Sequence, residues 1–178
     1  MSEAAAALKK MKNNKSPGPD GFTVEFFKFF FVDIGEFLVR SVNEGFLKEE
    51  MSTTQRQGVI ICIPKDGRPK QYIKNWRPIS LLNTTYKIAS ACVAQRLKLV
   101  LPDIIHKDQT GFLKGRYIGE NIRKIYDLLI KADIEQIPGL LLNVFFEKAF
   151  DSVSWSFIHK ALNFLKFGPV IKQWMHDL

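Results

Sequence analysis

The stretch Gly139 to Phe157, GLLLNVFFEKAFDSVSWSF, constrains the fold most. It opens with an apolar run, Leu140 to Phe146, broken only by Asn143 and preceded by the turn pair Pro138-Gly139. A seven-residue run of this kind, bounded by turn residues, predicts a buried strand. The chain then turns acidic at Glu147 and Asp151, and Trp155, Ile158, Leu162 and Leu165 follow at helical spacing, so a helix is expected from near Ser152. Strand, acidic junction and helix is an arrangement that places chemistry at the carboxyl end of a strand. The plainer alternative is a buried strand followed by an Asp helix cap.

The remaining 159 or so residues must support that element or bind something themselves. Hydrophobic residues make up 46% of the 178, enough for a core. Against 18 Asp and Glu stand 26 Lys and Arg, and the resulting charge of +8 favours a polyanionic partner over an acidic small molecule. Cys62 and Cys92 lie in apolar segments without His or Cys at ligand spacing, which argues against a zinc site and a disulfide framework. No run reaches the ~18 apolar residues of a membrane span, and MSEAAAALKK lacks a signal peptide's apolar core. The expected location is intracellular, nucleus or cytoplasm, and not secreted.

Taken in order, Ala4 to Lys12 should be helical and runs into Lys15-Ser-Pro-Gly-Pro-Asp-Gly21, where proline and glycine forbid regular structure. Lys15, Ser16 and the exposed amides of that loop could hold a phosphate, although such loops are usually connectors. After a Thr23 cap, Phe27, Phe30, Phe31, Ile34, Leu38 and Val42 recur at three- and four-residue steps and predict an amphipathic helix with its aromatics in the core. Gly58–Ile63 and Trp76–Leu82 predict an antiparallel pair, with Lys65, Arg68, Lys70 and Lys74 in the connection and Arg77 on the returning arm. Tyr86 to Leu101 should be a helix stopped by Pro102. Gln109 to Arg116 is a Gly-punctuated basic loop, followed by a helix from about Glu120 to Ile134 whose Ile122, Ile125, Tyr126 and Leu129 are expected to form a core stripe.

KSPGPDG, IPK, WRPISLLNTTYKI, QTGFLKGR with ENI after it, and FEKAFDSVSW resemble, in this order and spacing, the reverse transcriptase of non-LTR (LINE-type) retrotransposons. The resemblance implies an α+β, helix-rich fold: a truncated right-hand polymerase consisting of the fingers and the first strand and helix of the palm. Residues 1–22 would be an N-terminal helix and Pro/Gly loop, 23–138 fingers-like, and 139–178 the start of the palm. Lys65 and Arg77 look like the cations that grip the incoming nucleotide's triphosphate, a role that a point charge and a forked guanidinium suit. Phe150 falls where such polymerases place an aromatic gate beneath the sugar. Lys15, Gly111, Lys114, Gly115 and Arg116 would meet nucleic acid. Implied partners are an RNA template, a DNA primer and deoxynucleotides, with no membrane, and the implied cofactor is magnesium.

The chain departs from the family at one position that matters to the chemistry. The family's palm motif reads Asp-Phe-Glu-Lys-Ala-Phe-Asp, its first Asp a ligand of both catalytic magnesium ions, and here Phe145 stands there. Transfer by two metals ~4 Å apart needs carboxylates, which a phenyl ring cannot replace. The Phe146 backbone carbonyl would be the most that remains. On a strand Asn143 and Glu147 would sit roughly 6–7 Å to either side, too far to substitute, and Asp151 is assigned a capping role. The given sequence also ends before the family's Gly-x-x-Gln-Gly and Tyr-x-Asp-Asp segments. The expectation is a reverse transcriptase domain fragment that is inactive as it stands, the alternatives being a non-catalytic nucleic-acid-binding module or an unselected retrotransposon remnant.

Overall fold

The computed structural model describes residues 1–146, 148 and 152–178, so Glu147, Phe150 and Asp151 lie outside the described residues. Two compact units are present, one of residues 1–95 with 169–178 and one of residues 96–168. Both are dominated by helix. The two strands that form lie in the first unit.

In the first unit, α1 (Ser2–Lys10) packs on α2 (Val24–Leu47). Alanine needs no side-chain ordering, which lets α1 approach closely through Ala4 and Leu8, and these meet Val24, Phe27 and Leu38 of α2 and Ile88 of α4 (Thr84–Ile104). The Thr23 hydroxyl accepts from the Phe26 amide and starts α2 where the sequence predicts. Phe29 and Phe37, by contrast, point to solvent. A second cluster joins Val42, Met51 and Ala89. The short α3 (Thr53–Arg56) is closed by a capping box between Ser52 and Gln55. Helix α7 (Pro169–Asp177) lies against α2, with Trp174 stacked at a tilt on Phe46.

Between α3 and α4 runs the hairpin, β1 (Gly58–Pro64) antiparallel to β2 (Trp76–Leu82), from Gly58 opposite Leu82 to Pro64 opposite Trp76. The register explains why β2 tolerates Pro78. The Lys65 amide donates to the Asn75 carbonyl at 2.7 Å, so the odd positions of both strands exchange ladder bonds. Pro78 sits opposite Cys62 at a position whose nitrogen faces away from the partner.

The second unit holds the end of α4, a loop, α5 (Ile118–Ile134) and α6 (Trp155–Phe164). Ser154 caps α6, its hydroxyl accepting from the Phe157 amide, three residues into the predicted start. Three expectations are corrected here. Pro102 does not stop α4, which runs on to Ile104, because proline forfeits only its own amide bond and residues after it still donate backwards, as the Ile105 amide does to the Leu101 carbonyl at 3.0 Å. Ile122, Ile125, Tyr126 and Leu129 of α5 are exposed, so the stripe is amphipathic in pattern without a partner among the described residues. Leu140–Phe146 form no strand. They are irregular and exposed, because a strand takes its hydrogen bonds from a neighbour and none of the described segments pairs with this one.

Candidate nucleic-acid interface

The hairpin brings Lys65 and Arg77 together. Arg77 stands opposite Ile63, and Lys65 follows Ile63 by two residues, so all three project from one face. As diagonal neighbours their backbones are on the order of 7–8 Å apart, a span that one polyphosphate can bridge. The connection that carries Lys65 is folded by its own side chains. Lys65 Nζ donates to the Lys74 carbonyl at 2.9 Å, Asn75 Nδ2 to Pro69 at 2.8 Å, and Trp76 Nε1 to Lys70 at 2.7 Å. Gly67, at φ 68°, supplies the left-handed residue of the turn. One ammonium proton of Lys65 is thereby spent on a carbonyl, which aims the side chain and leaves two for an anion. Lys74 lies 5.7 Å from the centre of the Tyr72 ring.

Lys15 is exposed on a loop that is stitched down on its other side. The Asn83 side chain, buried at the β2–α4 junction, accepts from the Asp20 amide at 3.2 Å and donates to the Thr54 carbonyl at 2.6 Å. Thr84 donates to the Phe22 carbonyl and Lys87 to that of Ser16. A Cβ at Gly18 would overlap the Asn83 side chain and the Leu82–Asn83 backbone, so only glycine permits this approach. The Pro/Gly segment is therefore an ordered loop, and the buried Asn83 is the residue that sequence reasoning missed. It lies within the WRPISLLNTTYKI block, which pointed to the family without giving Asn83 a role.

In the other unit the 105–116 loop presents Lys114 to solvent and has Gly115 at φ 81°. Arg116, expected to meet nucleic acid, donates to backbone carbonyls around it. Nη1 donates to the carbonyls of His106 (2.6 Å) and Gln109 (2.8 Å), and Nη2 to those of Pro102 (2.6 Å) and Ile105 (2.8 Å). Four of its five N–H donors are thus spent on one carbonyl of the last turn of α4 and three of the loop that follows it. Asp108 completes the base of the loop, 3.1 Å from Lys124, while Asn121 donates to the Asp108 carbonyl. The Lys124 ammonium, and after it His106 and Lys107, hold the Asp108 carboxyl below the usual aspartate range.

Phe145, expected from the resemblance to stand where the family has a metal ligand, is 91% exposed, and its neighbour Phe146 is also in solvent. The donor set does not fit a magnesium pair. A phenyl ring has no lone pair to offer, and among the described residues no three His, Cys, Asp or Glu side chains come together. The expected gate, Phe150, and the flanking Glu147 and Asp151 lie outside the described residues. Among the described residues no helix is long and apolar enough to cross a membrane.

A reverse transcriptase (RNA-dependent DNA polymerase) family model matches residues 63–178, and the chain belongs to that family. Its relatives place it with the non-LTR, LINE-type elements. The chain is 41% identical over 169 residues, 95% of its length, to an uncharacterized 149 kDa protein of transposon TX1 from Xenopus laevis. It is 24% identical over 157 residues, 87% of its length, to a retrovirus-related Pol polyprotein of the type-1 retrotransposable element R1 from Bradysia coprophila. It spans only 13% and 15% of those two proteins.

Proposed function

We propose that this chain is a reverse transcriptase domain, an RNA-directed DNA polymerase by descent, that keeps the basic fingers hairpin for nucleotide or nucleic acid and does not itself carry out metal-dependent nucleotidyl transfer. The observation that carries this reading is Phe145 in the FEKAF register, where the transfer chemistry requires a carboxylate. Lys65 and Arg77 would grip triphosphate oxygens, Phe150 would lie beneath the sugar, and Lys15, Gly111, Lys114 and Gly115 would follow the strand. The natural ligands would be an RNA template, a DNA primer and deoxynucleotides. Magnesium, which serves the family as the Lewis acid, finds no ligand set among the described residues to support a step.

Primer extension on an RNA template with magnesium or manganese should give no incorporation, and processive synthesis would sink the proposal. Phe145→Asp alone should not restore activity, since one carboxylate does not hold two ions. Binding should survive. Replacing Lys65 and Arg77 with glutamine should weaken single-strand binding about tenfold and flatten its salt dependence by roughly 1.4 in log–log slope. Equal affinity and slope in that double variant would remove the hairpin from the reading.

A further inference from the structure

The hairpin has two edges of opposite character. Since the odd positions of β1 and β2 face each other across the ladder, the even positions turn their amides and carbonyls outward. On β2 that outer edge is interrupted, because Pro78 has no N–H and the Trp76 amide donates to the Ile73 carbonyl. On β1 the outer edge runs through Gly58, Ile60 and Cys62 to the Pro64 carbonyl, and among the described residues the sheet has no third strand to meet it. No charged residue stands between Arg56 and Lys65. Val59, Ile60, Ile61, Cys62 and Ile63 are all exposed, Ile60 at 68%. Natural sheets blunt such an edge with lysine, proline or a bulge, and β1 carries neither lysine nor proline before Pro64. Unpaired N–H and C=O groups at strand spacing are matched by another extended backbone.

We propose that this edge is a self-association surface, on which β1 of a second copy pairs antiparallel about a two-fold axis and joins the two hairpins in one sheet. A second copy is the occupant because β1 is complementary to itself in one register. With Ile61 opposite Ile61 of the second copy, Val59 meets Ile63, Ile60 meets Cys62 and Gly58 meets Pro64, so every facing pair within the strands is apolar. The outward groups coincide in that same register. The Ile60 amide reaches the Cys62 carbonyl of the second copy, the Cys62 amide the Ile60 carbonyl, and the Gly58 amide the Pro64 carbonyl. Centring the pair on Ile60 instead would set Ile63 against Gln57. Past the strands, Lys65 and Asp66 of each copy come to the end where the paired Glu50 and Arg56 of the other lie, a cation and an anion on either side. The contact is isologous and closes at two copies.

Sedimentation of the full chain across a range of concentrations, combined with amide exchange, is the test. The wild type should pass from monomer to dimer, and the Ile60 and Cys62 amides should slow in the dimer, while those of Val59, Ile61 and Ile63 stay protected in both. Ile60→Pro removes an outward donor at a position equivalent to that of Pro78; it should weaken dimerisation roughly 10- to 100-fold, one bond being lost from each copy, with the odd amides still protected. Ile60→Lys places a charge on the edge and keeps every backbone group, so it should weaken the dimer even if the proline variant fails to fold. A short bismaleimide should join Cys62 to Cys62, diagonal neighbours ~7–8 Å apart in this register, as identified by mass spectrometry of the linked peptide. A wild type that stays monomeric overturns the dimer and leaves the reverse transcriptase reading intact. Slow exchange of the Ile60 and Cys62 amides in a monomer assigns the edge to a segment of the same chain and overturns it equally. A dimer that survives both variants, or that links only through Cys92, places the contact elsewhere and removes β1 from it.

Discussion

Two apolar segments of equal length meet opposite fates in this molecule. Gly58–Pro64 and Leu140–Phe146 are both seven residues long, and the sequence predicts a strand in each. The first is paired through its whole length with Trp76–Leu82, and the second is irregular. Burial does not separate them, since most side chains of the hairpin are themselves exposed. The difference is the distance to a partner. Eleven residues after β1, in a connection that folds on its own side chains, bring back a complementary strand. After Phe146 the next described element is a helix, which offers no free backbone groups. Apolar character and β-branching are permissive, and a neighbouring ladder is what makes a strand.

The largest effect that tests this comparison comes from proline. Ile61→Pro removes a ladder donor opposite Ile79 and should open the hairpin, a loss of at least about 1 kcal/mol per bond, with amide exchange over 58–64 and 76–82 rising together. Leu142→Pro should leave the exchange pattern unchanged. Equal sensitivity of the two segments would show that Leu140–Phe146 is paired in solution.

The next test concerns what anchors the hairpin's end. Asn83→Ala leaves the Asp20 amide and the Thr54 carbonyl without their buried partner and should cost about 1–3 kcal/mol in chemical denaturation. Polar substitutions such as Leu142→Lys, on an exposed and irregular segment, should stay within about 0.5 kcal/mol. Similar costs at the two sites would mean that the apolar run is buried after all.

The smallest effect distinguishes two irregular segments, the stapled 105–116 loop and the unpaired run. Folded Asp108 has a lowered pKa, so its link to Lys124 stabilises the loop above the ordinary aspartate pKa and is lost as pH falls through the lowered value. Amide protection in the loop should therefore decline on the acid side of about pH 4, modestly because both groups are exposed. Asp108→Asn should remove that dependence, and Leu140–Phe146 should show none at either pH. An unchanged acid limb in Asp108→Asn would assign it to another group.

Much of this was legible in the chain. Thr23 and Phe27 announced α2, Gly58–Ile63 and Trp76–Leu82 announced the hairpin, and the five motif blocks announced the reverse transcriptase family before any coordinates. These signals are local: a cap, a period, a turn and a register are set by residues close together. That residue 145 is a phenylalanine, with no carboxylate to offer, is likewise plain from the sequence.

What only the tertiary structure decided concerns long-range partners. Asn83 reaches Asp20 and Thr54 across the chain, and no propensity marks a buried amide that bridges a loop and a short helix. Arg116 holds four backbone carbonyls, partners that no local sequence signal names and that only the fold brings to it. Leu140–Phe146 had the composition of a strand and lacked a neighbour. Composition fixes what a segment can bury or donate, whereas hydrogen bonding between distant segments depends on where the fold brings each of them.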